Sequence, residues 1–482
     1  SIEIKNLYIT EALLGVRHAQ AVMLFFAMLL AYAMRTLKLK FDSSQAFDWN
    51  MQTQSVILSS FFWGYIVLQV PAGEMAAKFG GKIFMNVVVG GNAAISFLIP
   101  YATYYGGWQA LCACRIAQGL SQGFLFPTMH NLIGKWVPLE EKSRLGTIIY
   151  AGAQLGTALQ LLISGFLADY WGWPAIFYMN GILGAIWTVV YLFFGADSPQ
   201  KSKMISEQEK LYIQTSLGQV GEQKKLNTPW KSIWTSLPFY ALLIVHCGQN
   251  WGLWTLMTEV PSYMSQILGV DIKTNGAMSA LPYLSMYLLG FPFGFFSDYV
   301  LKKKWASIGT ARKISNSIAI ALIFLSYVPA HKIALAVGLL TVVVGLNAGH
   351  FTGFLLVHID MAPNFAGRLM GFTNFFANII SIISPLVSDP EQWRHVFFLS
   401  SAIYILGNLF FVLFGSCEVQ SWNNPKDSGE NNQVKAKILI QKQYNPSAAP
   451  HLWRSAHLLI CAYLLLLFCM TAKNIMVLMI IT

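Results

Sequence analysis

PAGEMAAKFGGK (71–82) is a proline-led, glycine-containing turn that ends in lysine, and its skeleton returns as PFGFFSDYVLKKK (292–304). Pro71 and Gly73 match Pro292 and Gly294, and each copy leads from an apolar stretch into a basic turn. Two more pairs keep the same order at nearly the same offset. Arg144-Leu-Gly returns as Arg368-Leu-Met-Gly, and Trp173-Pro-Ala-Ile-Phe returns as Trp393-Arg-His-Val-Phe. A chain that repeats its turns and helix starts in one order is built from two parallel copies of a unit, as many large helical membrane proteins are.

The residues around these turns say what the unit is made of. The 482-residue chain is 55% hydrophobic and 11% charged, with a mean hydropathy of +0.51. A soluble domain averages about 25% charged residues, so this chain is solvated by lipid. A spanning helix needs ~20 apolar residues. Twelve stretches qualify, at roughly 18–36, 55–77, 82–103, 108–134, 145–169, 174–195, 236–266, 276–300, 314–330, 333–358, 367–388 and 394–416. The expected organisation is a cytoplasmic N-terminus (1–17), a first six-helix half (18–195), a cytoplasmic central loop (196–235), a second half (236–416) and a tail (417–482). The tail closes on an atypical apolar run, 457–482, which is either a thirteenth span or foreign to the fold.

Charge gives the orientation. The net +11 comes from lysines and arginines gathered in alternate loops, which excludes a nucleic-acid surface and orients membrane helices. One side collects Lys78, Lys82, Lys135, Lys142, Arg144, the central-loop lysines, Lys302 to Lys304, Arg312, Lys313 and Arg368. The other has little beyond Lys38, Lys40, Lys273, Lys332 and Arg394. The first side is therefore expected to be cytoplasmic, with both ends of the twelve-helix unit. The six cysteines show no framework or CxxC spacing, so neither a disulfide scaffold nor a metal site is expected.

Six segments carry a family resemblance. They are SSFFWGYIVLQVPAGEMAAKFGGK (59–82), RIAQGLSQGFLFPTMHNLIGKW (115–136), YAGAQLGT (150–157), SGFLADYWGWPAIFYMNG (164–181), SALPYL (279–284) and HIDMAPNFAGRLMGFTN (358–374). Across roughly residues 15–423 the chain resembles the major facilitator superfamily. Within it, the chain is similar to the anion transporter group of sialin, the vesicular glutamate transporters and the type I sodium–phosphate cotransporters, above all insect members labelled inorganic phosphate cotransporters. The resemblance implies an all-α major facilitator fold and secondary active transport of small anions, inorganic phosphate or organic carboxylates, by alternating access. It also implies symport with Na+ or H+, or transport driven by membrane potential, with no cofactor. The expected partners are the anion and the bilayer, in a monomer at the plasma membrane or an endolysosomal or vesicle membrane.

Arg115 is the foremost candidate for substrate binding. An arginine at mid-membrane costs at least ~2.5–3.5 kcal/mol, so it needs a carboxylate partner, a wet cavity or an anionic substrate. Few carboxylates are offered by the apolar stretches, and the resemblance places a substrate arginine at this point of the fourth helix. Arg35 matches the family's first-helix substrate arginine, yet by position it also reads as an arginine at a helix end reaching for the interface. Gln118 and Gln122 lie four residues apart on one helix face, one turn after Arg115. Proton-coupled relatives carry carboxylates on this stretch, which glutamines cannot replace as proton acceptors. Gln249 and Asn250 stand where the vesicular glutamate carriers have an arginine. Tyr65 and Asn374 are polar groups on apolar helices that either line a cavity or join helices.

His130, with His358 and Asp360, is the candidate for gating or proton sensing, since histidine titrates near neutrality. The plainer account makes His130 a hydrogen-bonded core residue and the other two a helix-end network. His246 and His350 receive no role. Two features weigh against a working carrier: a first helix that stops near Arg35, and a ninth stretch barely long enough to span. The rival is therefore a non-transporting paralogue that keeps the fold as a receptor or scaffold, or has no activity. A metabolic enzyme is disfavoured, since no nucleophile, metal or cofactor constellation is present.

Overall fold

The two repeated turns sit where the halves of the molecule meet. The computed structural model describes residues 15–36, 49, 51–217, 227–266, 272–317, 333–387 and 393–423. Its first half comprises α1 (Val16–Arg35), α2 (Met51–Val67), α3 (Gln69–Phe79), α4 (Gly81–Asn86), α5 (Asn92–Gln122), α6 (Leu125–Trp136), α7 (Lys142–Trp171) and α8 (Pro174–Phe194). After the short α9 (Glu207–Leu217) and α10 (Trp230–Trp234), the second half runs through α11 (Leu237–Gln266), α12 (Ile272–Lys302), α13 (Ile308–Ser317), α14 (Ile333–Leu346), α15 (Gly349–Thr352), α16 (Phe354–Met361), α17 (Ala366–Val387) and α18 (Trp393–Phe414).

Among the described residues six helices are long and apolar enough to cross a membrane, or seven if the bent α2–α3 pair counts as one. The twelve expected stretches each coincide with helix except 314–330, of which α13 enters only the start; the rest lies outside the described residues, as does the run 457–482. Outward-facing side chains are large and apolar, with Phe193 78% and Phe166 68% exposed, a surface suited to acyl chains.

Local chemistry explains the breaks. Between α2 and α3 the axis bends by 48°, where Pro71 lacks the N–H that Val67 would receive. In α5, Gly107 adopts φ +60° and ψ −152°, a conformation open to glycine alone. There the chain folds back on itself. Asn92 Nδ2 donates to Ser121 Oγ at 2.7 Å and Gln118 Nε2 to Ser96 Oγ at 3.4 Å, pairing residues at nearly equal separations on either side of Gly107. The arm before Gly107 therefore completes the third expected stretch, which α4 begins, and the arm after it opens the fourth, which α6 completes. The fourth is interrupted again near Pro127, and the tenth is broken into α14, α15 and α16.

α7 and α12 pack against each other along their length, from Gly290 beside Thr147 and Ala151 to Ala158 beside Ala280 and Tyr283. At the end next to the central loop the halves close through the repeated turns. A Cβ on Gly73 would meet Arg368 Cα at 2.7 Å, and one on Gly294 would meet Arg144 Cα at 3.4 Å. Each turn thus seats its glycine on the first residues of a helix in the opposite half, α17 in one case and α7 in the other. In the second seat Asp298 caps α7, accepting from the backbone N–H of Ser143 (3.1 Å) and Arg144 (2.8 Å), where the helix dipole favours a carboxylate. The first seat has alanine, Ala77, at the position of Asp298, and Glu74 closes it with an ion pair to Arg368 at 3.0 Å.

Lys142 and Arg312, which sequence reading counts among the loop charges, are instead buried in this seam. Lys142 Nζ lies 3.1 Å from Asp360 Oδ1 and Arg312 Nε 2.8 Å from Asp360 Oδ2. Arg312 also donates from Nη1 to Ser143 Oγ and to the Thr352 carbonyl. Their burial follows from closure of the two halves around Asp360, which no local pattern announces.

Candidate functional site

Above the seam, between the halves, is a cavity of about 60 Å³, room for roughly four to six waters on a measure that gives each ~10–15 Å³. The first half contributes Tyr32 and Arg35 from α1, Tyr65 from α2, and Tyr150 and Gln154 from α7. The second contributes His246, Gln249 and Asn250 from α11, Asn347 and His350 near the α14–α15 break, and Asn374 and Asn378 from α17. No aspartate or glutamate is among the described residues that line it, so the wall is net positive.

The positive charge is Arg35. It ends α1, is 8% exposed, and its guanidinium carbon lies 4.8–5.5 Å from the ring centres of Tyr32, Phe61, Phe62 and Tyr65. Aromatic faces stabilise a partly desolvated cation without neutralising it. Tyr65 reaches across the cavity, where its hydroxyl accepts from Asn374 Nδ2 at 3.3 Å. Gln249 and Asn250 stand opposite; Gln249 Nε2 donates weakly to Asn316 Oδ1 at 3.4 Å. These groups can meet an anion at one end and offer donors and acceptors at the other.

Arg115 is placed differently. It is 2% exposed and is not among the residues lining the cavity. Its Nη2 donates to the Arg35 carbonyl at 2.9 Å, and Nη1 donates to Gln118 Oε1 at 3.1 Å and the Met34 carbonyl at 3.4 Å. Gln122 Nε2 donates to the Ala31 carbonyl at 2.9 Å. Arg115, Gln118 and Gln122 therefore share one face, as their spacing predicts, and that face fastens α1. The reason lies in where α1 stops. A helix leaves its last carbonyls without intrahelical donors, and α1 stops at Arg35 inside an apolar bundle where water does not supply them. The Arg115 guanidinium does, and it complements the negative end of the helix dipole as well. By fixing the end of α1, it fixes Arg35.

Below the cavity is a group of histidines. His130 from α6, His246 from α11 and His358 from α16 stack edge to face, with ring centres 5.3 Å (His130–His358) and 5.7 Å (His246–His358) apart. The Thr373 hydroxyl sits 2.9 Å from His246 Nδ1 and 2.8 Å from His358 Nε2. His130 faces the Phe126 carbonyl, the Leu355 carbonyl and the Tyr150 hydroxyl. His358 and Asp360 lie on one short helix but join different networks, His358 the histidine group and Asp360 the ion triad.

The structure thus brings Arg35, Tyr65, Gln249, Asn250 and Asn374 together on the cavity. It sets Arg115, Gln118 and Gln122 behind α1, and His130, His358 and Asp360 between cavity and seam. Sequence reasoning passed over Tyr150, Thr373, Asn347 and Asn378. Only the two asparagines on polar interruptions of apolar helices carried a readable signal.

Comparison with known proteins places the chain. A family model described as Major Facilitator Superfamily matches residues 19–385. A Drosophila ananassae protein named "Putative inorganic phosphate cotransporter" is 41% identical over 431 residues, covering 85% of this chain and 89% of its own length. Human sialin is 37% identical over 79% of both chains. Human vesicular glutamate transporter 2 is 31% identical over 80% of this chain and 68% of its own.

Proposed function

Because the chain belongs to the Major Facilitator Superfamily, we propose that it carries a small anion, inorganic phosphate or an organic carboxylate, across a membrane as a secondary transporter. The carrying observation is Arg35, a buried guanidinium on the wall of a cavity between the halves whose described lining holds no acidic side chain. The names of its relatives support the substrate class: an inorganic phosphate cotransporter, sialin and a vesicular glutamate transporter. The cavity volume and single lining arginine favour a compact, singly charged anion in the described state.

The cycle follows from the two ends. The molecule is latched on the side of the central loop, which the positive-inside pattern makes cytoplasmic. Solute enters from the opposite side, at the plasma membrane or an endolysosomal or vesicle membrane, and meets the planar donor fork of Arg35, which suits carboxylate or phosphate. Neutralising the guanidinium lowers the cost of occluding it. The halves then rock about the site and the loop-side latch opens. Transport draws on a coupled cation or the membrane potential. The early end of α1 does not argue for an inert paralogue, since Arg115 seals the carbonyls it leaves.

The test is counterflow of labelled phosphate, and separately of small organic acids, into liposomes holding the purified protein. The expected result is counterflow by the parent and a loss of about hundredfold or more in Arg35→Ala, the ~3 kcal/mol typical of truncating one side of a buried charge pair. Arg35→Lys should also fail, because ammonium lacks the fork. Undiminished counterflow in Arg35→Ala would remove the arginine from the substrate route, and its absence in the parent would revive the receptor or scaffold reading.

A further inference from the structure

We propose that His130 is the proton-binding site of the cycle, loaded from the cavity through the Tyr150 hydroxyl. The inference rests on the transport reading and names its coupling ion. Its basis is an arrangement that satisfies His130 in both charge states. His130 is fully buried and does not line the cavity, yet all three residues that contact its nitrogens, Phe126, Tyr150 and Leu355, do. It stands one residue behind the wall.

The hydrogen bonds define the two states. Nε2 lies 3.0 Å from the Leu355 carbonyl, an acceptor only, so Nε2 carries a proton. Nδ1 lies 2.8 Å from the Tyr150 hydroxyl and 3.1 Å from the Phe126 carbonyl. In the neutral ring Nδ1 accepts from Tyr150. In the imidazolium Nδ1–H donates to the Phe126 carbonyl, and the tyrosine oxygen becomes a second acceptor. A histidine that serves only as core filling needs partners for one tautomer, whereas this one has partners for the added proton.

The transfer balances with one proton and no other bond change. A proton from cavity water joins the Tyr150 oxygen as the hydroxyl's own proton passes to His130 Nδ1, so tyrosine stays neutral and imidazole becomes imidazolium. The titratable groups facing His130 are Tyr150 from α7, His358 from α16 and, behind His358, His246 from α11. Asp360, two residues beyond His358, is committed to Lys142 and Arg312, so it does not hold the proton. The cation would be held by carbonyls of both halves, Phe126 from the first and Leu355 from the second, and charge-assisted bonds are the stronger kind. Proton alone therefore clamps the seam, and an anion beyond Tyr150 offsets the charge and lets it open. This assigns to histidine the task that Gln118 and Gln122, lacking a titratable proton, cannot perform.

The experiment uses monovalent phosphate in liposomes clamped at zero potential, acid outside by one pH unit. One proton carried with each H2PO4− brings the internal concentration of that species to about ten times the external one, whereas uniport leaves the two equal. Counterflow in the same vesicles reports transport itself. The parent should show both counterflow and the tenfold ratio. His130→Gln should fall to a ratio near one, read over whatever counterflow it retains. A parent ratio of one with normal counterflow overturns the proton site and leaves transport standing, and a tenfold ratio in His130→Gln overturns it as well. Where the parent carries a monocarboxylate instead of phosphate, the same ratio is read with that anion, and lack of counterflow with both anions removes the transport reading on which the inference rests. Should His130→Gln fail to fold, Tyr150→Phe decides: the ratio falls toward one if the relay passes through the hydroxyl and stays tenfold if it does not.

Discussion

The loop-side seam and the central cavity are both buried and both carry arginine, but they treat its charge in opposite ways. At the seam the cations meet carboxylates: buried Lys142 and Arg312 share Asp360, and half-buried Arg368 meets Glu74. On the cavity wall the Arg35 guanidinium lies among aromatic rings, and behind α1 that of Arg115 meets carbonyls and an amide. A charge already balanced within the protein makes a latch, strong in one conformation and costly to break. A charge set among ring faces, on a cavity wall whose described lining holds no carboxylate, can still accept an anion.

Three substitutions sharpen or break that contrast. Asp360→Asn has the largest expected effect, since it leaves Lys142 and Arg312 in a dry seam without their counter-charge, costing the loop-closed state ~3–5 kcal/mol. Alkylation of a reporter Ser297→Cys, a buried position beside Ser143, should rise at least tenfold over the same reporter with Asp360 intact. Equal alkylation would show that the triad does not hold the seam.

Arg115→Ala comes next. It exposes the Met34 and Arg35 carbonyls at ~1–3 kcal/mol each, so the last turn of α1 should lose amide-exchange protection and KM for phosphate should rise by about tenfold, with counterflow still measurable. Complete loss of counterflow with α1 still protected would put Arg115 in the substrate route and erase the distinction between the two arginines. Glu74→Gln is the smallest, because Glu74 is 45% exposed in its pair. It should lower thermal stability by less than ~1 kcal/mol, an effect that vanishes at high salt. A larger, salt-insensitive loss would make the two seats equal in strength.

How much of this was readable varies with how local the signal is. The repeat turns could be found because the close approaches at the seats require Gly73 and Gly294, and each follows a proline by two residues, Pro71 and Pro292. The apolar stretches follow from length and composition. The face shared by Arg115, Gln118 and Gln122 was legible from helical spacing, but spacing cannot say what a face looks at. That depended on α1 stopping at Arg35 and turning its open carbonyls toward α5. For the same reason Arg35 and Arg115 could not be ranked from sequence: both sit in apolar surroundings, and only the assembled bundle separates a guanidinium on a cavity wall from one behind a helix. Lys142 and Arg312 resemble ordinary loop cations because closure of two distant halves buries them. The histidine group draws on α6, α11 and α16, far apart in the chain, so no motif could show it.

The reciprocal glycine seats carry one more consequence. In the first half a turn docks on the opening residues of a helix in the second, and the second half returns the same contact. Mutual use of one patch in this way is the hallmark of an isologous, two-fold interface. The two halves are therefore related at this contact by a pseudo-two-fold, each giving one glycine turn and receiving the other on a helix start, while the polar groups that close the two seats differ.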